Sequence, residues 1–203
     1  MWHVLLAIGL SSRIGVAALD AITRCATTGC EDLPTKAYSF TPTDMLCVAV
    51  NGLLIENAFL YWVYCSALPL PNSPYWVPIY TALLLCADDA LYTVYHKWLH
   101  SNKWLYRHIH ERHHRVKYPQ AGYLHASMEH PIEMIAALTL HALCIRVLAP
   151  DVISVCVHIL IKAVASCINH SGKRCRIWKY DSLDHAHHHS KLTTCFHQII
   201  PIL

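Results

Sequence analysis

Four stretches of the chain, residues 45–68, 75–95, 131–149 and 152–168, run almost unbroken in apolar side chains. A helix crossing the hydrocarbon of a bilayer takes about 20 such residues. No water satisfies a backbone group in lipid, so each stretch must close its hydrogen bonds on itself as a helix. Glu56 is the only charge in the first stretch, and "APD" at 149–151 reads as a hairpin break between the last two. Composition agrees: 55% of the 203 residues are hydrophobic and 14% charged, against a usual charged share of about 25%. The expected fold is an all-α integral membrane bundle of about four transmembrane helices under a cytosolic, histidine-rich helical cap. Residues 1–40 form an N-terminal segment, and residues 41–203 form the membrane-embedded domain. Within the former, 1–18 is broken by Arg13 and reads equally as an anchor, a poor signal peptide or a buried helix.

The basic residues orient the bundle. Lys97, Lys103, Arg107, Arg112, Arg115 and Lys117 follow the second stretch, and Lys173, Arg174, Arg176, Lys179 and Lys191 follow the fourth. Excess Lys and Arg mark the cytosolic side. Two crossings lie between these segments, so both fall on one face and can meet. The net charge of +3 comes with no nucleic-acid motif, and no such partner is expected. Of ten cysteines most sit in apolar runs and none forms C-x-x-C, which argues for small buried hydrophobes in a reducing compartment. Cys25 and Cys30 could pair.

Histidine is the outlier, with 17 residues, nearly all from His96 onward. On a helix, positions i, i+3 and i+4 fall within about 100° of arc. His96 and His100 therefore share a face, as do His110, His113 and His114, and again His185, His188 and His189. His170 closes the last apolar stretch. The same arithmetic turns His108 and His187 away. Nine imidazoles presented at one membrane surface are expected to bind two metal ions. Asp89, seven residues before His96, is placed to orient a ligand's second ring nitrogen, with Tyr92 on the same side. His141 and His158, alone on apolar faces, read as core residues.

The stretch "HERHH" at 110–114 has a second reading as H-E-x-x-H, a zinc-protease helix with Glu111 as base. That reading leaves seven of the nine histidines without a task, whereas a two-metal site uses them all. Imidazole suits iron as well as zinc, so the ligands alone do not name the metal. A histidine-rich metal transporter is a further alternative.

From about Asp88 to Phe196 the chain resembles the fatty acid hydroxylase/sterol desaturase superfamily of membrane di-iron enzymes. The resemblance is carried in order by "DDALYTVYHKWLH", "WLYRHIHERHHRVKYP", "EHPIE", "NHSG" and "DHAHHHSKLTTCF". Cys195, Phe196 and His197 depart from the family's usual Asn-aromatic-Gly, and Ser166 stands where some members carry a further histidine. The resemblance implies two Fe²⁺ ions and O₂-dependent hydroxylation or desaturation of a sterol or fatty-acyl C–H bond. It also implies electrons from cytochrome b5 and its NAD(P)H-dependent reductase, an endoplasmic reticulum location, and His130 as an outer residue of the site. The basic rim, including Lys103, Arg107, Arg112, Arg115, Lys173, Arg174 and Arg176, is expected to steer the acidic cytochrome.

Overall fold

The computed structural model describes residues 2–34, 36–66, 68–148 and 151–199, with side chains from Ile14 onward in the first helix. Helices dominate. α1 spans Trp2–Ala26, followed by a short strand β1, Glu31–Asp32. α2 (Pro42–Val50) continues through a π-helical segment, Asn51–Glu56, into α3 (Asn57–Cys65). Then come α4 (Trp76–Ser101), α5 (Lys103–His108), a 3₁₀ turn at His110–Arg115, α6 (Tyr123–Ala126), α7 (Pro131–Leu148) and α8 (Val152–Asn169). Three two-residue strands, β2 (Lys173–Arg174), β3 (Arg176–Ile177) and β4 (Tyr180–Asp181), precede α9 (Ser182–Lys191). β1 pairs antiparallel with β2, and β3 with β4.

Among the described residues four helices are long and apolar enough to cross a membrane: Pro42–Cys65, Trp76–Ser101, Pro131–Leu148 and Val152–Asn169. Their burial is inverted relative to a water-soluble bundle. Only 28% of the apolar window of α4 is buried, and Ile79, Leu83, Leu91, Ile135, Leu143 and Val147 face outward. Asp88, Glu133, His158 and Lys162 face inward and are buried. Apolar surface outside and ionisable groups inside is the arrangement hydrocarbon imposes. A small apolar core of Val63, Leu84, Cys144, Ile145 and Val155 ties the spans together.

The ends of these helices carry local signals. Thr41 and Asp44 form a reciprocal capping box on α2, with Pro42 at its first turn. Asp151 caps α8 through Ser154. Ala149 and Pro150 of the expected hairpin break lie outside the described residues, and so does the chain end beyond Ile199. The first expected span begins at Pro42 rather than at 45, and it is not one uniform helix. Its π-helical segment turns Asn51 inward to hold the carbonyls of Ser127 and Glu129 at 2.9 and 3.0 Å. At Gly52 a Cβ would meet the Tyr123 hydroxyl at 2.4 Å, so only glycine allows Tyr123 to reach Glu56. The N-terminal elements pack on the later ones: α1 lies against α8, and β1 pairs with β2.

Candidate metal centre

α4 runs on past its apolar stretch to Ser101 and so carries both His96 and His100 into the cap. The second box takes a tighter form than expected. His110–Arg115 is a 3₁₀ turn rather than an α-helix, held to α2 by Arg112 and Arg115, 3.0 and 3.5 Å from Asp44. α9 is a true α-helix capped by Asp181. His170 ends α8.

All nine histidines singled out by spacing come together, in two groups. His96, His100, His110, His114 and His188 form one; His113, His170, His185 and His189 form the other. The boxes are therefore divided: His113 leaves its neighbours for the second group, and His188 leaves His185 and His189 for the first. The two groups adjoin, with the His114 and His189 ring centroids 4.8 Å apart. His108 and His187 are exposed, and His108 stacks on Trp104. Glu111 is exposed as well, while His110, His113 and His114 are buried.

The outer ring nitrogens fix how the inner ones behave. The Nδ1 of His96 faces the Phe196 carbonyl at 2.9 Å, that of His188 the Thr194 carbonyl at 2.7 Å, and that of His110 the Glu133 carboxylate at 2.6 Å. In the second group, His170 faces the Ser166 carbonyl at 2.7 Å and His189 the Val116 carbonyl at 2.9 Å. A carbonyl or carboxylate only accepts, so each Nδ1 bears the proton and each Nε2 keeps its lone pair. Yet Nε2 of His96 lies 3.0 Å from Nε2 of His110 and 3.1 Å from Nε2 of His188. Acceptors facing acceptors at this range call for a shared cation. A metal–imidazole bond of about 2.1 Å places neighbouring nitrogens roughly 3.0–3.4 Å apart, which matches these spacings. The residues fit bound first-row metal ions.

Burial reinforces the neutral state. It pushes the His110 imidazole down to about 3, and His170 and His188 to about 4. Burial and the adjoining imidazoles also hold His113, His114, His185 and His189 well below the usual histidine range.

The outer residues take different posts from those expected. His96 turns its Nδ1 to Phe196, while Asp89 accepts the backbone amides of Gln198 and Ile199 at 3.1 and 3.2 Å. Asp89 thus anchors the segment whose carbonyl orients His96. Tyr92 lies against His96, with centroids 5.2 Å apart. His130 sits at the start of α7, its Nδ1 accepting the Ile132 amide at 3.2 Å. Glu133 was not singled out by spacing, although "EHPIE" contains it. Leu192, in the left-handed region at φ 62°, ends α9 and turns the chain back so that Thr194 and Phe196 reach the site. The departing triplet at 195–197 keeps its aromatic, and the Phe196 ring packs on His96, His100 and His188.

A cavity of about 260 Å³ opens beside the second group, lined there by His113, His170 and His185 and further in by Tyr92, His158 and Lys162.

The family model for fatty acid hydroxylase matches residues 81–203. Two curated relatives, the very-long-chain aldehyde decarbonylases GL1-9 of Oryza sativa subsp. indica and subsp. japonica, are each 46% identical over 50 residues. That stretch is 25% of this chain and only 18% of each relative's length. No solved structure matches the chain. The family match covers more than half of the sequence, and the chain belongs to the fatty acid hydroxylase family.

Proposed function

We propose that this member of the fatty acid hydroxylase family is a membrane di-iron oxidoreductase. Its reaction is O₂-dependent oxidation of a sterol or fatty-acyl C–H bond, giving a hydroxylated or desaturated lipid. The observation that carries the reading is the set of facing Nε2 lone pairs, each fixed by an acceptor behind it. His96, His100, His110, His114 and His188 would hold one iron, and His113, His170, His185 and His189 the other. Iron held there would supply the chemistry of O₂ reduction and substrate oxidation.

The chain's own residues hold, orient and exclude. Glu133 and the carbonyls of Phe196, Thr194, Val116 and Ser166 keep the Nδ1 protons on the outside of the site. The Phe196 ring covers the first group. The walls of the cavity lead a lipid from between the spans to the second group and keep water from it. Asp89 and Tyr92 support His96, and His130 sets the start of α7. The names of the two rice relatives add support for a long-chain lipid as substrate.

Electrons would come from cytochrome b5 and its reductase at the cytosolic face of the endoplasmic reticulum. The basic rim is thinner than the sequence implies, since Asp44 engages Arg112 and Arg115, Asp32 engages Lys173, and Asp181 engages Arg174. Lys103, Arg107 and Arg176 remain exposed for an acidic partner. Glu111 is exposed while His110, His113 and His114 are buried, which favours the di-iron reading over the protease alternative. Metal analysis of the purified membrane protein, with lipid extracts of expressing cells grown in air and under argon, tests the reading. Iron at about two per chain and an oxidised lipid formed only in air are expected. Zinc alone with an unchanged lipid profile overturns it.

A further inference from the structure

Where α4, α7 and α8 meet inside the bundle, the chain buries a second polar cluster. Lys162 Nζ lies 2.9 Å from Asp88 Oδ2, the His141 Nδ1 pairs with Asp88 Oδ1, and His158 Nε2 lies 3.9 Å from the same carboxylate. Asp88 is fully buried, His158 is 1% exposed and Lys162 6%. Ionisable groups at this depth are expensive and rarely kept without a task. Two observations give this cluster one. It is not sealed: His141, His158 and Lys162 line the same cavity as His113, His170 and His185. It is also incomplete, because His158 Nδ1 is buried without a hydrogen-bond partner among the described residues.

We propose that this cluster recognises the hydroxyl group of a neutral membrane lipid lying in the cavity. The assignment rests on the di-iron oxidoreductase reading only in calling that lipid the substrate. Charge decides the chemistry of the ligand. Lys162 is already matched by Asp88, and Asp89 lies a further 3.7 Å from its ammonium. With two carboxylates beside one ammonium, an arriving carboxylate would be repelled, and a metal ion held by Asp88, His141 and His158 would have to sit beside the Lys162 ammonium. A hydroxyl adds no charge, and it both donates and accepts. It satisfies His158 Nδ1 in either tautomer, and its oxygen accepts a hydrogen bond from the Lys162 ammonium.

The placement sets a length. Asp88 precedes His96 by eight residues on α4, and Lys162 precedes His170 by eight on α8. At the rise of an α-helix both intervals come to about 12 Å. The hydroxyl end is held deep in the bundle, and the part of the lipid about 12 Å away lies at the histidine centre. The cavity of about 260 Å³ is smaller than the roughly 300–1,000 Å³ that encloses a whole small ligand. It takes part of the lipid, and the remainder extends between the spans.

The test uses radiolabelled 1-hexadecanol, hexadecane and palmitate, partitioned between nanodiscs carrying the purified protein and empty ones, with metal content measured on the same samples. Saturable binding of the alcohol at one per chain is expected, with the alkane and the carboxylate each bound about tenfold more weakly. Tenfold is the worth of about one hydrogen bond to a charged group. His158→Phe should lose that preference at unchanged metal content. The Asp88→Asn/Lys162→Met double variant removes the closest charge pair together and leaves Asp89 on the amides of Gln198 and Ile199, and it should lose the preference too. Equal binding of alcohol and alkane, tighter binding of palmitate, or full preference in both variants overturns the proposal. Loss of a bound metal on replacing His158 overturns it in favour of an ion site. The alcohol preference in a protein that purifies with zinc alone and leaves the lipid profile of expressing cells unchanged would sink the di-iron reading and leave this one standing.

Discussion

The chain holds histidine in two settings, and the contrast shows how a fold states what an imidazole is for. In the cap, nine rings gather in two groups; eight of them bring Nε2 atoms within 2.9–3.2 Å of one another, and five turn Nδ1 to an acceptor. In the bundle, His141 and His158 instead lie against Asp88, which Lys162 already holds. Lone pairs converging on lone pairs leave a cation as the only stabilising occupant. A carboxylate beside an ammonium and two imidazoles is balanced without one. Both regions are buried and rich in histidine, and only the identity of the facing group separates them.

The largest expected effect tests that separation directly. His188→Ala should strip most metal from the first group, whereas His158→Ala should leave metal content as it is, both by elemental analysis of purified protein. Equal loss from the two would erase the distinction. Next comes Asp88→Asn, which abandons the Lys162 charge inside the bundle and should cost about 3–5 kcal/mol. Adding Lys162→Met should recover most of that in the thermal midpoint. In the cap, Glu133→Gln keeps the shape behind His110 but weakens its acceptor. Metal affinity should fall about 10- to 100-fold, as for other residues behind a ligand, with chelator competition as the readout.

A smaller effect comes from acid. His110 is held near 3, and His170 and His188 near 4, by burial. An unfolded chain takes up protons on these groups below about 6.5, while the folded one does not until about pH 4 or lower. The unfolded state binds more protons in that window, so stability falls as pH drops from about 6.5 toward 4. His125, buried outside both groups and lowered to about 4, contributes the same sign without touching metal. Thermal midpoints at pH 7.5 and 5.0, both measured with chelator present, check the sign: the midpoint should be lower at pH 5.0, and His125→Phe should shrink the difference. The smallest effects belong to residues facing away. Glu111→Gln and His187→Ala should change metal content and product formation little, and abolished turnover at full metal loading in Glu111→Gln would restore the protease reading.

Much of the fold is legible in the sequence wherever a local period carries it. The spans expected at 75–95, 131–149 and 152–168 correspond to α4, α7 and α8 because apolar runs and helical geometry are both short-range. The outward turn of His108 and His187 comes from the same period. Less legible are the 3₁₀ form of 110–115 and the π-helical segment at 51–56. The first depends on Asp44 gripping Arg112 and Arg115, and the second accompanies Tyr123 closing on Gly52. His141 and His158 read as isolated core residues, since nothing in the sequence brings Asp88 and Lys162 to them.

The sequence by itself determined which stretches form helices long and apolar enough to cross a bilayer and which histidines gather in the cap, because a run of apolar residues and an i, i+3, i+4 spacing act within a turn or two of helix. Tertiary structure alone decided how nine ligands divide into five and four. It also decided which groups stand behind them: Glu133 lies 23 residues from His110, Val116 73 from His189, and Phe196 100 from His96. Such contacts obey no period. They arise when packed helices and a returning chain end bring an acceptor to the one ring nitrogen left facing it.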